Sequence, residues 1–211
     1  NNQFRLLFQP VISLRGDSDE HYEVLLRMLN PQGEEVSPND FISAAKAEGL
    51  TEKIDRWVVL NSIKLLSEHR SKGHNTKLFV HISGASLQDQ SLLPWLSVAL
   101  KAARLPSDAL IIQFSEPDAI EYLKQAKTLT QGLAELHCKV SLTQFGCAAN
   151  PFNTLKHLTV DFVKIDGSYT QDLSKPENLE SLKVLLASLH SQAKLTIVPY
   201  VETASTMSTL W

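Results

Sequence analysis

The feature that most constrains this chain is an alternation of short, nearly continuous apolar runs with longer amphipathic stretches. Apolar runs that lack polar alternation are typical of parallel strands covered on both faces. The stretches between them carry the periodicity of helices. Seven such runs can be identified: residues 5–12, 22–28, 78–83, 110–115, 139–145, 161–165 and 195–201. Repeated strand–helix units predict a parallel α/β architecture.

Two of the amphipathic stretches give the clearest helix predictions. Residues 55–73 form one, and Gly73 is placed where a glycine commonly ends a helix. Residues 177–192 form the other, and Pro176 before them suits the first turn of a helix.

One connection departs from the parallel pattern. Only nine residues, 13–21, separate the first two apolar runs, whereas a parallel crossover needs about a dozen or more. The first pair of strands is therefore predicted to be an antiparallel hairpin. The polar residues 30–40 that follow are predicted to form a loop that leads into a helix opening at Ser37 or Asn39, with Pro38 early in it.

The number of strands suggests the closed form of the sheet. Seven strands and the start of a final helix fall one strand short of a TIM-like (β/α)8 barrel. We therefore predict one domain over residues 1–211, an α/β barrel with its first strand antiparallel and truncated at its C-terminal edge. An open seven-stranded sheet is the alternative.

Composition excludes several classes of function. With 20 basic and 23 acidic residues the net charge is −3, so no basic field favours a nucleic-acid polymer as partner. No apolar run has the length needed for membrane insertion. The two cysteines, Cys138 and Cys147, lie in no metal-binding or redox motif. They are predicted to be free thiols, which favours the cytoplasm.

Polar side chains interrupt the apolar runs near the ends of the predicted strands. Burying such groups is costly unless they are paired or functional, and the ends of parallel barrel strands are where ligands bind. An alternative is that they cap the barrel mouth by bonding to one another. The residues at these ends are Glu23, Leu25, Arg27, His81, Ser83, Gln113, Ser115, Glu116, Thr143, Gln144, Lys164, Asp166, Tyr200 and Glu202.

Nine motifs recur along the chain in a recognisable order: FQPVISL, EVLLR, SPNDFISAAKAEGL, KIDRWVV, FVHIS, QFSE, LTQFG, VDFVKIDGSY and VPYVET. In this order and spacing they closely resemble the EAL domains, bacterial phosphodiesterases that bind and usually cleave cyclic di-GMP. The resemblance runs from Phe8 to the last residue. It implies a (β/α) barrel with one reversed strand, in agreement with the predicted hairpin.

The resemblance also implies where the chain departs from an active enzyme. Active EAL domains hold two Mg²⁺ or Mn²⁺ ions with acidic residues in motifs of the EALLR, EITE, DDFGTG and AEGVE type and with an asparagine in a VNLS-like strand. Here the first acid is retained as Glu23. The other positions carry His81 for the asparagine, Gln113 for a glutamate, Thr143 and Gln144 for the paired aspartates, and Pro199 for the last glutamate.

These replacements predict that metal and catalysis are lost together. Mg²⁺ and Mn²⁺ need hard, mostly anionic oxygen ligands, and Glu23 with Asp166 cannot hold two ions. Without metal no hydroxide forms at neutral pH, so Lys164 has no nucleophile to assist. The expectation is a degenerate phosphodiesterase with no catalytic residue, no metal and no cofactor.

Within the family, EVL in place of EAL and an aromatic residue before VE resemble degenerate members that bind cyclic di-GMP without hydrolysing it. That resemblance implies ligand contacts from Leu25, Arg27, Asp55, Tyr200 and Glu202. We add Gln9 as a contact, and Glu23, Pro38 and Lys164 as further candidates. Binding is expected to need no metal.

Two of these residues have a clear chemical role and a clear alternative. The Arg27 guanidinium suits a pair of phosphodiester oxygens, or it forms a salt bridge with Glu23 or another acid. The Asp55 carboxylate can accept from a guanine edge, or it caps a helix that begins at Arg56.

Each of the other proposed contacts also has an alternative role. Tyr200 offers a ring for base stacking, or it is a buried core aromatic. Glu202 accepts from a second guanine, or it pairs with a nearby lysine or arginine. Gln9 bonds to the ligand or to its own hairpin.

The function expected from these residues is that of a receptor for cyclic di-GMP. The resemblance implies signalling to type IV pilus and twitching-motility machinery at the cell pole, through a PilZ-domain protein or a pilus-assembly component. Two alternatives remain: a residual metal-dependent cyclic di-GMP phosphodiesterase, and a protein-interaction scaffold that binds no nucleotide.

Overall fold

The computed structural model describes residues 3–16 and 18–210. The strands in these residues are β1 Phe4–Val11, β2 Glu20–Leu29, β3 Glu35–Val36, β4 Thr76–His81, β5 Leu110–Ser115, β6 Lys139–Phe145, β7 Phe162–Ile165 and β8 Leu195–Ile197. The α-helices are α1 Pro38–Ala47, α2 Thr51–Ser71, α3 Gly84–Gln88, α4 Leu92–Ala103, α5 Glu116–Glu121, α6 Leu123–Glu135, α7 Pro151–Leu155, α8 Pro176–Ser191 and α9 Ala204–Leu210. Two 3₁₀ turns lie at Ser107–Ala109 and Gly167–Thr170.

All the strands belong to one mixed sheet, in the order β1-β2-β4-β5-β6-β7-β8. Strands β1 and β2 pair antiparallel, which confirms the predicted hairpin, and β4 to β8 follow in parallel. The prediction of a plain loop over residues 30–40 is wrong at one point, because Glu35 and Val36 form the short strand β3 against β2.

The sheet is strongly curled. Lys164 on β7 donates from Nζ to Glu23 Oε2 on β2 at 2.8 Å, although three strands separate β2 from β7 in the sheet. In a flat sheet four strand spacings would put them roughly 19 Å apart. The Phe79 and Phe162 rings also meet inside the curve, 5.1 Å apart. The architecture is therefore an incomplete TIM-like barrel, as predicted.

The outer face of the curled sheet packs against the helices. Val80, Ile112 and Phe114 on the central strands are buried completely or nearly so, as are Ile63 and Leu66 on α2. Because the inner face is covered as well, the central strands show no alternation of apolar and polar residues. This explains the continuous apolar runs in the sequence.

The largest differences between the predicted and the observed limits lie at the start of α2 and at the end of β8. Helix α2 begins at Thr51, one turn before the predicted start at residue 55, and ends at Ser71, just before Gly73 at φ +86°. Strand β8 ends at Ile197, although the apolar run continues to residue 201. Pro199 has no N–H for the ladder, and Tyr200 adopts φ +58°.

Both cysteines are free thiols, as predicted; Cys138 is buried and Cys147 exposed. Within residues 3–16 and 18–210, none of the helices combines the length and the apolar character that crossing a membrane requires.

Substituting Phe114 tests the packing between the sheet and the helices. Phe114→Ala removes a fully buried ring, so the free energy of unfolding should fall by about 3–5 kcal/mol, measured by urea denaturation. Val98→Ala on α4, where the side chain is 68% exposed, is the control and should change it by less than about 0.5 kcal/mol. Equal effects of the two variants would contradict the described core.

Candidate functional site

The centre of the barrel mouth is a hydrogen-bonded group of three side chains. Glu23 Oε1 accepts from Gln113 Nε2 at 2.9 Å, and Glu23 Oε2 accepts from Lys164 Nζ at 2.8 Å. Gln113 is only 2% exposed. Both carboxylate oxygens of Glu23 are thus engaged by protein donors, and its charge is balanced by one lysine.

The other replaced positions surround this group. His81 pairs in register with Gln113 across β4 and β5. Its side chain is exposed, while the protein around it disfavours the charged form and lowers its pKa. The shift favours the neutral imidazole. Thr143 Oγ1 donates to the Phe114 carbonyl at 3.4 Å.

Gln144 follows Thr143 at an irregularity in the strand. The register of β6 against β7 shifts between Leu142 and Phe145. Gln144 lies in this bulge with φ +54° and an exposed side chain. A bulge leaves its extra residue unpaired in the ladder, so Gln144 projects from the rim of the barrel.

Arg27 lies near the end of β2. Its Nη1 donates to the Leu26 carbonyl at 3.0 Å, and its Nε is 3.9 Å from Glu35 Oε2. The alternative role of Arg27 was a salt bridge with Glu23 or another acid. The acid beside Arg27 is Glu35 on β3, and Glu23 pairs with Lys164 instead. The contact is long, so the guanidinium retains donors for another partner.

Asp55 has a role that the sequence did not indicate. It lies inside α2, so the alternative that it caps a helix beginning at Arg56 is wrong. Its Oδ2 accepts from Ser83 N at 2.8 Å, from Ser83 Oγ at 2.6 Å and from Ser86 Oγ at 2.6 Å. The carboxylate thereby fixes the start of α3 at the end of β4.

Tyr200 and Glu202 follow β8 in an irregular segment. The alternative of a buried core aromatic is wrong, because Tyr200 is 74% exposed. The edge of its ring lies against Gly167: a Cβ on that glycine would be 2.4 Å from Tyr200 Cε2. Glu202 is exposed, and its carboxylate has no hydrogen bond or ion pair with any described residue.

The remaining predicted contacts lie on β1, β2 and α1. Gln9 is opposite Glu23 in the hairpin and exposed, and Leu25 is opposite Leu7. Pro38 is the first residue of α1 and exposed. In the part of the chain that the structure describes, no hydrogen bond or ion pair joins the proposed contacts Gln9, Arg27, Asp55, Tyr200 and Glu202 to one another.

Glu116 positions the loop after β6, which the sequence reasoning did not foresee. It is 1% exposed. Its Oε2 accepts from Gly146 N at 3.3 Å and its Oε1 from Ala148 N at 2.8 Å. Tyr169 Oη donates to the Gly146 carbonyl at 3.2 Å. The signal available in the sequence was that Glu116 directly follows the end of β5.

Asp166 lies beside the same loop. The Ser168 side chain and backbone N–H bond to its carboxylate and lower its pKa. Cys147 is exposed, but the protein around its thiol disfavours the charged form and, together with a hydrogen bond with Asp166, raises its pKa to about 11. The Asp166 oxygens are therefore occupied by neighbours within the loop.

Over residues 3–16 and 18–210, no three His, Cys, Asp or Glu side chains lie close enough together to hold a metal ion.

Comparison with known proteins identifies the family. The family model for the EAL domain matches residues 1–211. This chain is an EAL domain. A curated relative is the cyclic di-GMP phosphodiesterase PdeF of Escherichia coli, 29% identical over 203 residues, which are 96% of this chain and 27% of that protein. The EAL domain thus spans about a quarter of the length of PdeF.

Solved structures of EAL domains agree with this fold. The FimX EAL domain from Pseudomonas aeruginosa bound to c-di-GMP is 69% identical, with a TM-score of 0.95 over 100% of this chain and 85% of that one. The Xanthomonas citri FimX EAL domain in complex with c-di-GMP is 30% identical, with a TM-score of 0.91 over 99% of this chain and 82% of that one.

Substituting Asp55 tests its anchoring role. Asp55→Ala removes the acceptor of three hydrogen bonds and leaves the buried Ser86 hydroxyl without this partner. The free energy of unfolding of the EAL domain should fall by about 2–3 kcal/mol, measured by urea denaturation without ligand. Glu180→Ala, an exposed acid within α8, is the matched control and should change it by less than about 0.5 kcal/mol. An unchanged stability of Asp55→Ala would show that the three bonds do not anchor α3.

Proposed function

We propose that this EAL domain is a receptor that binds cyclic di-GMP without metal and does not hydrolyse it. The observation that carries the proposal is the bonding of Glu23. Its two oxygens are held by Gln113 and Lys164 at 2.9 and 2.8 Å, so the acid retained from the family motif is already neutralised within the protein.

The donors around Glu23 do not suit a pair of divalent cations. Such ions need several anionic oxygens in near-octahedral geometry. Gln113 offers a neutral amide, Thr143 directs its hydroxyl to a backbone carbonyl, and the Asp166 carboxylate serves its own loop. Lys164 adds a positive charge where a cation would bind, which disfavours it further.

Without metal, the phosphates of the dinucleotide need positive charge and donors from the protein. Arg27 supplies a guanidinium that donates once to the Leu26 carbonyl and makes one long contact to Glu35, and a guanidinium fork suits two phosphate oxygens. The Lys164–Glu23 pair presents no net negative charge to them. The other acidic residues of active EAL domains are replaced here. Their repulsion of the phosphates, which a metal would otherwise have to balance, is therefore absent.

The guanine bases need acceptors and a stacking surface. Oδ1 of Asp55 has no hydrogen bond within the described residues, since all three bonds are made by Oδ2; it is the acceptor we assign to one guanine edge. Glu202 is the acceptor for the second guanine, and the exposed Tyr200 ring stacks on a base. Gln9 and Leu25 complete the contacts. The binding of c-di-GMP by two FimX EAL domains supports this assignment.

The output of the receptor is a further part of the proposal. We infer signalling to the type IV pilus machinery that drives twitching, through a PilZ-domain protein or a pilus-assembly component. This part rests on the resemblance of the motifs to those of pilus regulators.

Calorimetry in the presence of a chelator tests metal-independent binding. We expect cyclic di-GMP to bind the domain with the same affinity in excess EDTA and in excess Mg²⁺, because the phosphates are held by Arg27 and not by a cation. Loss of binding in EDTA would contradict the proposal. The thermal unfolding midpoint should rise with ligand concentration, since a ligand of the folded state stabilises it.

The two alternatives give different results in the same samples. A residual phosphodiesterase would form linear pGpG in Mn²⁺, and the product would disappear in Glu23→Gln. A scaffold that binds no nucleotide would give no heat and no change in the unfolding midpoint. The proposal expects no pGpG with either the unchanged domain or Glu23→Gln.

A further inference from the structure

The Tyr200 ring has an unusual support. The residue adopts φ +58°, a left-handed backbone that costs a non-glycine residue about 1–2 kcal/mol. Its ring is 74% exposed, and its hydroxyl has no hydrogen-bond partner among the described residues. Polar contacts therefore do not fix the orientation of the ring.

One edge of the ring instead lies against the backbone of Gly167. A Cβ built on Gly167 would be 2.4 Å from Tyr200 Cε2 and 3.0 Å from Cδ2. Real Cβ atoms do not approach carbon this closely, since contacts between carbon atoms are optimal near 3.5–4.0 Å. The ring can occupy its present place only because residue 167 has no side chain.

The backbone beneath the ring is held firmly. Asp166 N donates to the Phe145 carbonyl at 2.9 Å, Ser168 N donates to Asp166 Oδ2 at 3.0 Å, and Thr170 Oγ1 donates to the Gly167 carbonyl at 2.9 Å. A side chain at position 167 would therefore displace the exposed ring and not the bonded turn.

We propose that Gly167 is a positioning residue for ligand binding: its bare backbone is the support that sets the orientation of the Tyr200 ring for stacking on a guanine. The inference rests on the function proposed above. It adds a residue in the turn after β7 that does not itself bond to the ligand and acts on it only through Tyr200. Because the displaced ring can move into solvent, the role is in binding and not in stability.

A double-mutant cycle tests this coupling by calorimetry with cyclic di-GMP. Tyr200→Ala should weaken binding by about 5- to 150-fold, the equivalent of losing a stacked base. Gly167→Ala should weaken it by at least about threefold, which is part of the same loss. In the Tyr200→Ala background, Gly167→Ala should have no further effect, because the ring that it displaces is absent.

Gly132→Ala is the matched control. Gly132 lies in α6, and its Cβ would be 2.2 Å from the tip of the Leu93 side chain. The Gly132→Ala substitution therefore adds the same methyl group against a side chain as Gly167→Ala does, but at a position away from the strand ends. Its affinity for cyclic di-GMP should equal that of the unchanged domain.

Several results would overturn the inference. Unchanged affinity in Gly167→Ala or in Tyr200→Ala would do so, as would an equal loss from Gly167→Ala with and without the tyrosine ring. A fall in the ligand-free unfolding midpoint of Gly167→Ala by more than about 2 °C would make it a structural residue. Absence of binding by the unchanged domain would instead overturn the proposed function, and this inference with it.

Discussion

The interaction on which the barrel mouth depends is the ion pair between Glu23 and Lys164. It joins β2 to β7 across the inside of the curled sheet, so it depends on the same curvature that brings Phe79 onto Phe162 below it. Gln113 bonds to the second oxygen of Glu23. A half-buried carboxylate is stable only with such partners, and here the protein supplies all of them.

In the function we propose, the pairing of Glu23 with Lys164 and Gln113 separates metal binding from dinucleotide binding, two properties that the EAL motif usually combines. In that function, a carboxylate bonded to a lysine and an amide would not attract divalent cations, and without them water would not be activated. Binding of a dinucleotide makes other demands, namely a guanidinium, base acceptors and an aromatic face. In our proposal Arg27, Asp55 and Tyr200 meet these demands from β2, from α2 and from the segment after β8, so that binding would not depend on the replaced metal positions.

The sequence predicted the local features well and the long-range pairings poorly. The nine-residue connection required the hairpin, and the apolar runs located the central strands, because both depend on neighbours in the chain. The end of β8 was missed because Pro199 and the positive φ of Tyr200 interrupt an apolar run that looks like a strand. The partner of Glu23 lies 141 residues away in Lys164, and the serines that bond to Asp55 lie on another element; no periodicity encodes such contacts.

The most direct test of the account is anomalous diffraction at the manganese edge from crystals of this domain grown with cyclic di-GMP and excess Mn²⁺. We expect the dinucleotide in the barrel mouth, Lys164 still bonded to Glu23, and no anomalous peak beside that carboxylate. Two strong peaks coordinated next to Gln113 and Gln144 would contradict the central claim.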